Sequence, residues 1–547
     1  MPVNRFVTRP TAIALGALLA FLSIAPPAEA YRRQRPADAP APIISRITIR
    51  ATSIFDLDTN AQLRHIPYST ANALHIRTRE QVIRRELLFK EGDRLDPFLI
   101  AETERNLRAL PFIRAARIVK FPQRDGTVAL VVYTNDSWTT EPQINLGGVN
   151  SIDSVEVGFK EKNLLGLGKT VQFFQEKGKD FTQRTFRYTD PRILGSRWQF
   201  DGGVLRNTDG NTEDATVQRP FYSADTRWSA RGFVERSNLA IKEFDNNVQT
   251  NQYEQIQHTQ ETGAATKIGG GRDTVNHAGL RYRVVTTGYT RNDQTPIDKT
   301  VPDNRVDRTL FLDLDSTHTD FIEATRLEKM NRIEDVNLGL ALTVSPGWSP
   351  SFITGQTNST SLDSTLQKKY LFPAGHLLNL SFSYTGRDVT RSAENQLYNA
   401  QVKYYHRVSD ANTLVLNSRL ELGQDLDADN QLKLGGDTGV RAYEKDSFVG
   451  SKIWLMNVED RLFLIDDFAN LFAIGGAIFG DSGYAWDKDH PMAISDMKSD
   501  VGMGLRLGLT RSSNEVVLRF DLAYRLDAYN KGGDSRWVFS FGTSQAF

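Results

Sequence analysis

Cysteine is absent from all 547 residues, which excludes a disulfide framework, a thiolate metal centre and a cysteine nucleophile. Long apolar runs are nearly as scarce. Beyond the first thirty residues no stretch is both long and apolar enough for a transmembrane helix, so a membrane form of this chain can only be a closed barrel whose backbone groups pair between strands. An excess of either charge is missing too: 66 Lys and Arg balance 66 Asp and Glu, which removes the basic field of a nucleic-acid binder. Histidines are few and scattered (His65, His75, His258, His277, His318, His376, His406, His490), without metal-ligand spacing. The glycine run Gly269 to Gly271 lacks the Gly-Lys-Ser/Thr ending and following helix of a phosphate loop, and no nucleophile-elbow pattern occurs. No enzyme, metal site, cofactor or nucleic-acid partner is therefore expected.

What is present begins with an export signal. Arg5 and Arg9 precede an apolar run from Ala12 to Ile24, and Ala28-Glu29-Ala30 supplies a cleavage site, so residues 1–30 read as a signal peptide. Residues 31–43, rich in Pro and Arg, read as an extended tether. A small α+β domain is expected over 44–136. Its first strand alternates from Ile44 to Ala51. A helix over Thr78 to Lys90 opens on a capping-box spacing from Thr78 to Gln81, and a second opens with Asp96 as cap and Pro97 at its first position, stopping at Pro111. Strands Ala115 to Phe121 and Thr127 to Thr134 follow, joined through Asp125-Gly126, a hairpin signal.

From 143 to 547 the chain reads as mainly β. Strand-length alternating segments are separated by Gly, Asn and Asp turns. In Val501 to Leu509 the odd positions are apolar; in Glu515 to Leu526, Leu518, Phe520, Leu522 and Tyr524 oppose Arg519, Asp521 and Arg525. An apolar face recurring opposite charged positions fits lipid outside and a wet lumen inside, and the low mean hydropathy of -0.41 is compatible with it because only every second residue must be apolar. A soluble β-sandwich also alternates, with its polar face outward.

Several stretches, in order along the chain, resemble signatures of the BamA-type outer-membrane assembly and translocation superfamily, the bacterial surface antigen barrels. They are Glu161 to Gly168, Tyr188-Thr189-Asp190-Pro191, Gly435 to Tyr443, Asn457 to Arg461, Phe479 to Gly483, and the terminal Phe547. The resemblance implies a transmembrane antiparallel β-barrel of sixteen strands behind a single POTRA domain, the 44–136 unit. It implies an outer-membrane location, with the N-terminal domain in the periplasm. Asn238 to Arg272 is too polar to divide into strands, so the residues themselves do not fix the count. In Val440-Arg441-Ala442-Tyr443, Ala442 stands where the family has Gly, so strain is expected there if the turn needs a positive φ.

Strand parity provides a check on the site. Between Ile453 and Leu464 the apolar face is Trp454, Met456, Val458, Leu462 and Leu464, which leaves Asn457, Glu459 and Arg461 for the lumen; Asp481 falls on the lumenal side of the next strand. The resemblance implies that the loop Gly423 to Gly450 folds inside the barrel and that Arg441 pairs with Asp481, with Glu459 as a second acceptor. The alternative is that these charges merely solvate a water-filled interior. The last strand presents Trp537, Phe539, Phe541 and Phe547 as an outward signal.

The expected partners are outer-membrane lipids, together with client proteins, chaperones or lipoproteins met through the POTRA domain. The expected function is assistance to insertion, assembly or translocation of clients, and a single POTRA domain suggests an accessory member. A passive channel or structural surface barrel is the competing class, with lipid handling a third.

Overall fold

The computed structural model describes residues 41–547 except 56–67, 148–153, 179–181, 246–247, 355–357, 390–391, 428–429, 437–438, 445, 488–492, 513–516, 528–535, 544 and 546–547. The expected signal peptide, all but the end of the expected tether, and Phe547 lie outside the described residues.

The N-terminal unit comprises β1 (Ile44–Thr52), α1 (Tyr68–Leu74), α2 (Glu80–Glu86), α3 (Pro97–Arg108), β2 (Ile113–Pro122) and β3 (Val128–Asp136). Its sheet has the order β1-β3-β2, with β1 parallel and β2 antiparallel to the centre. Val128, Leu130 and Val132 alternate inward from β3 and meet Ile83 of α2, Leu107 of α3 and Phe112 in one core. Asp96 caps α3, accepting from the Phe98 N–H at 3.0 Å, with Pro97 behind it.

The first long helix differs from expectation. It spans only Glu80–Glu86, and Thr78 is not its cap. Thr78 instead donates its N–H to Asp136 Oδ2 at 2.7 Å and accepts from Asn163 Nδ2 at 2.9 Å, so two groups distant in sequence outcompete the local capping box.

Beyond Asp136 the chain forms one antiparallel sheet running from Thr140–Gly147 to Trp537–Thr543, and the last strand lies beside the first, closing the ring. Among the described residues the ring contains twenty strands, not the sixteen implied by the resemblance. Several of the strands lack an apolar signal from which they could be counted. Gly210–Arg219 is almost wholly polar, and Asn238 to Arg272 lies mostly in a single hairpin of Trp228–Asp245 with Val248–Gly269, 18 and 22 residues long. At about 3.3 Å per residue the longer strand extends ~70 Å, well over the ~30 Å of a bilayer core, so much of it needs no lipid-facing residues.

Alternation sets the two faces of the wall. In Lys452–Phe468 the odd positions from Ile453 to Phe463 are buried, while Met456, Val458 and Leu464 are exposed; Ile478, Met503, Leu522 and Phe539 continue that bare apolar surface on neighbouring strands. No helix among the described residues is long and apolar enough to cross a membrane.

An even strand number leaves the first and last strands meeting the same end of the ring, called here the near end because the N-terminal unit sits there. The 425–451 connection belongs to the far end and returns into the lumen, where Leu434, Val440 and Tyr443 pack on inward-facing Leu455, Phe479 and Ala523.

Candidate functional site

The interior charges gather around Arg441 at the tip of the returning loop. Its Nε lies 2.7 Å from Asp481 Oδ2 and its Nη2 3.0 Å from Asp481 Oδ1, a two-point grip on one carboxylate. Nη1 reaches Glu459 Oε2 at 2.7 Å and Asp521 Oδ2 at 3.5 Å, and the guanidinium lies over the Phe479 ring at 3.3 Å. Asn457 Nδ2 donates to Asp481 Oδ1 and to the Gly439 carbonyl, both at 2.8 Å, tying the loop backbone to the same carboxylate.

Glu459 is the hub. It accepts from Arg461 Nε at 3.0 Å and lies 3.3 Å from Arg506 Nη2, while Arg506 Nη1 grips Asp521 at 2.6 Å. The side chains of Glu459, Asp481 and Asp521 have no exposed surface. Carboxylates so buried persist only where cations and hydrogen bonds replace their lost water, and the four arginines 441, 461, 506 and 519 supply these. The cluster ties the loop to the wall, and such buried pairs add little net stability after desolvation.

Strain at Ala442 is not found. Among the described residues, left-handed backbone in this loop falls on Asp425, Gly435, Gly436, Gly439 and Asp446, not on Ala442; Ala442 is fully buried and its N–H donates to Asp500 Oδ2 at 3.1 Å. Tyr443 adds a hydroxyl bond to the Ser499 carbonyl at 3.3 Å. Trp537 and Phe539 lie on the exposed outer face, and Phe541 packs its ring 4.9 Å from that of Phe520.

The expected set omitted Arg506, Arg519 and Asp521. Alternation had already put Arg519 and Asp521 on the face opposite the apolar one, as it does Arg506, but nothing in the sequence brought these positions together with Arg441.

At the near end, the sequence signatures hold the N-terminal unit. Asn163, within Glu161 to Gly168, bonds to Thr78 and accepts the Gly168 N–H at 2.7 Å; the Gly166 carbonyl accepts the Arg79 N–H at 3.0 Å. Gly166 has φ +72, and a Cβ there would meet the Arg77 carbonyl oxygen at 2.4 Å. Arg192, just past Tyr188 to Pro191, pairs with Glu86 of α2, which Arg197 also contacts at 3.1 Å. Further round the rim, Asn106 of α3 donates to the Tyr222 carbonyl, Arg272 bridges Asp96 and Asp225, and Tyr68 reaches the Ala469 carbonyl at 2.8 Å. The unit thus lies across the mouth of the ring.

The Omp85 superfamily domain matches residues 163–547. The chain belongs to the Omp85 superfamily. For an Omp85 protein the wall of alternating strands is an outer-membrane barrel, and the bare apolar surface is its lipid-facing side. Solved structures similar to this Omp85 chain include BamA from Haemophilus ducreyi lacking POTRA domains 1–3 (13% identity over 92% of this chain and 84% of that one, TM-score 0.39). CdiB from Acinetobacter baumannii (12%, 99% and 99%, 0.43) and CdiB from Escherichia coli (13%, 96% and 93%, 0.43) are similar too. At that distance the likeness adds nothing to the family assignment. No curated protein sequence matches the chain.

Proposed function

We propose that this Omp85 protein assists the insertion, assembly or translocation of client proteins at the outer membrane. The N-terminal unit, 44–136, acts as a single periplasmic POTRA domain that receives a client in extended form, and the barrel, 143–547, provides the membrane site. The observation that carries this reading is the seating of the unit across the near-end mouth by turns all round the rim, which puts any segment it holds beside the lumen. The clamp of Arg441 on Asp481 and Glu459 supports it further, because a fixed loop leaves a defined interior.

Strand addition has a specific requirement here. On β2 the Ile118 N–H already donates to Glu104 Oε1 at 2.6 Å and the Ala116 carbonyl accepts from Arg108 Nη1 at 3.4 Å. On β1 the Ile47 N–H donates to Glu91 Oε1 at 2.8 Å and the Ala51 carbonyl accepts from Arg77 Nη2 at 2.7 Å. Charged side chains of the unit therefore occupy backbone groups on both edges, the usual protection against indiscriminate pairing, and a client strand displaces them.

Depletion of the protein followed by comparison of the outer-membrane proteome tests the function, with heat-modifiability on a gel reporting its own folded barrel. Selective loss of particular outer-membrane or surface proteins is expected. An unchanged proteome beside a folded barrel would leave a passive channel or structural barrel.

A further inference from the structure

The 319–340 connection does not turn tightly at the near end as its neighbours do. It forms a hairpin of Phe321–Ala324 with Glu334–Asn337 whose tip enters the lumen. Met330, almost wholly buried, packs on Phe463, Ala473 and Val517, which face inward from three different strands. The fit is tight: a Cβ on Gly475 would meet Met330 Cε at 2.8 Å. Val336 packs on Leu377, Tyr405 and Val415 further round the wall.

Polar contacts complete the seat. Glu328 accepts from Lys403 and Tyr405 and lies 3.5 Å from Arg461 Nη1, which also donates to the Leu327 carbonyl. Arg461 is the same residue that grips Glu459, so the hairpin adjoins the Arg441 cluster. On its other side the hairpin meets the N-terminal unit: Arg108 of α3 holds Asp335 through Nε at 2.9 Å and Nη2 at 2.5 Å, Arg332 Nη2 donates to the Ile113 carbonyl at 2.6 Å, and Arg105 lies over the Phe321 ring at 4.4 Å.

We infer that the hairpin Phe321–Asn337 is a releasable plug that closes the near end of the barrel and is tied to the N-terminal unit through Arg108. Two arginine-carboxylate sets inside one lumen differ in a way that assigns their roles. The loop carboxylates Glu459 and Asp481 are 0% exposed, whereas the Glu328 side chain keeps 38% of its surface in water. Breaking the first strands bare charges in a dry interior. Breaking the second releases a carboxylate that already meets water; its partners Lys403 and Arg461 are buried, but Arg461 keeps Glu459 after the hairpin leaves and Lys403 is uncovered to the lumen. The far-end loop is therefore the fixed element and the hairpin the movable one, and a shift of α3 pulls on it through Asp335.

The plug is independent of whether clients are handled, and conductance of the full-length protein in planar bilayers tests it. Replacing residues 321–337 by a short Gly-Ser loop, in a barrel shown to be folded by heat-modifiability, is expected to raise mean conductance at least tenfold. A folded, hairpin-less barrel conducting like its parent overturns the inference. Glu328→Gln, which leaves the hairpin in place, is expected to raise opening frequency severalfold. In that background the pair Met330→Cys and Ala473→Cys forms the only possible bridge, since the chain has no other cysteine. Openings abolished by oxidation and restored by reduction support a moving hairpin; openings that persist with the bridge closed overturn it.

Discussion

Arg441 joins a loop to the wall through three carboxylates, so its removal is costlier than the worth of the pairs themselves. Arg441→Ala leaves Asp481 and Glu459 charged and dry, an imbalance of about 3–5 kcal/mol. The expected result is a lower urea midpoint and loss of protease protection across 425–451. Arg441→Lys is expected to rescue little of either, because an ammonium cannot reproduce the two-point grip on Asp481. A protected loop in both variants would show that the charges only solvate the interior. Gly166 is a second residue whose identity is set by contact. With φ +72 and the Arg77 carbonyl 2.4 Å from a notional Cβ, Gly166→Ala adds about 1–2 kcal/mol of backbone strain and displaces Arg77. Faster proteolysis of the N-terminal unit, with an unchanged barrel, is the expected readout.

Among elements, the end of β3 carries a buried titratable group at the junction. Burial pushes the Asp136 carboxyl up to about 6 even though Thr78 hydrogen bonds oppose the rise, and burial lowers the pKa of His75, whose Nε2 lies 3.8 Å away. A carboxyl whose folded pKa is raised binds more protons folded than unfolded between the two values. Its contribution is full below pH ~4 and is lost as pH rises through about 6, a span worth about 3 kcal/mol. The stability of the N-terminal unit, followed by denaturant titration, should lose this falling component in Asp136→Asn, leaving the opposite, rising contribution of His75, whose lowered pKa favours the folded state as pH increases. The edge of β2 offers another test: Glu104→Ala leaves the Ile118 N–H without its partner, and relief of that loss by an added strand, about 1 kcal/mol, predicts roughly fivefold tighter binding of an extended peptide. Equal affinity would place the client elsewhere.

Elements also show what a sequence can and cannot display. Strands such as Lys452–Phe468 were legible because lipid demands an apolar residue at every second position, and the same parity located Glu459, Arg461 and Asp481. Where strands leave the lipid, as in Val248–Gly269, that demand lapses and the count is lost. The plug hairpin was illegible for a further reason. Its strands have four residues each, and Glu328 acquires meaning only from Lys403, Tyr405 and Arg461, far along the chain. Thr78 was misread because Asn163 and Asp136, not its own helix, satisfy it.

For the whole molecule, the unit and the barrel are separable in the mechanism. Deleting Ile44 to Thr134 removes the receptor and the Arg108 tether while leaving the ring's strands intact. Loss of client assembly with a folded barrel is expected, read by the same proteome comparison; intact assembly would remove the unit from the mechanism. One further consequence follows from the closure of the ring between its first and last strands. These partners lie almost four hundred residues apart, so the seam cannot form until the whole chain has been exported, and such distant pairing is slow. Until then two strand edges remain unpaired. The N-terminal unit emerges first, and its contact with a late turn, Tyr68 with Ala469, together with that of Trp138 just after it with Arg511, joins an early part of the chain to a late one. Time spent as an open sheet is thus set by when those late turns arrive, so a barrel lacking the unit is expected to fold to the same ring but to close its seam more slowly.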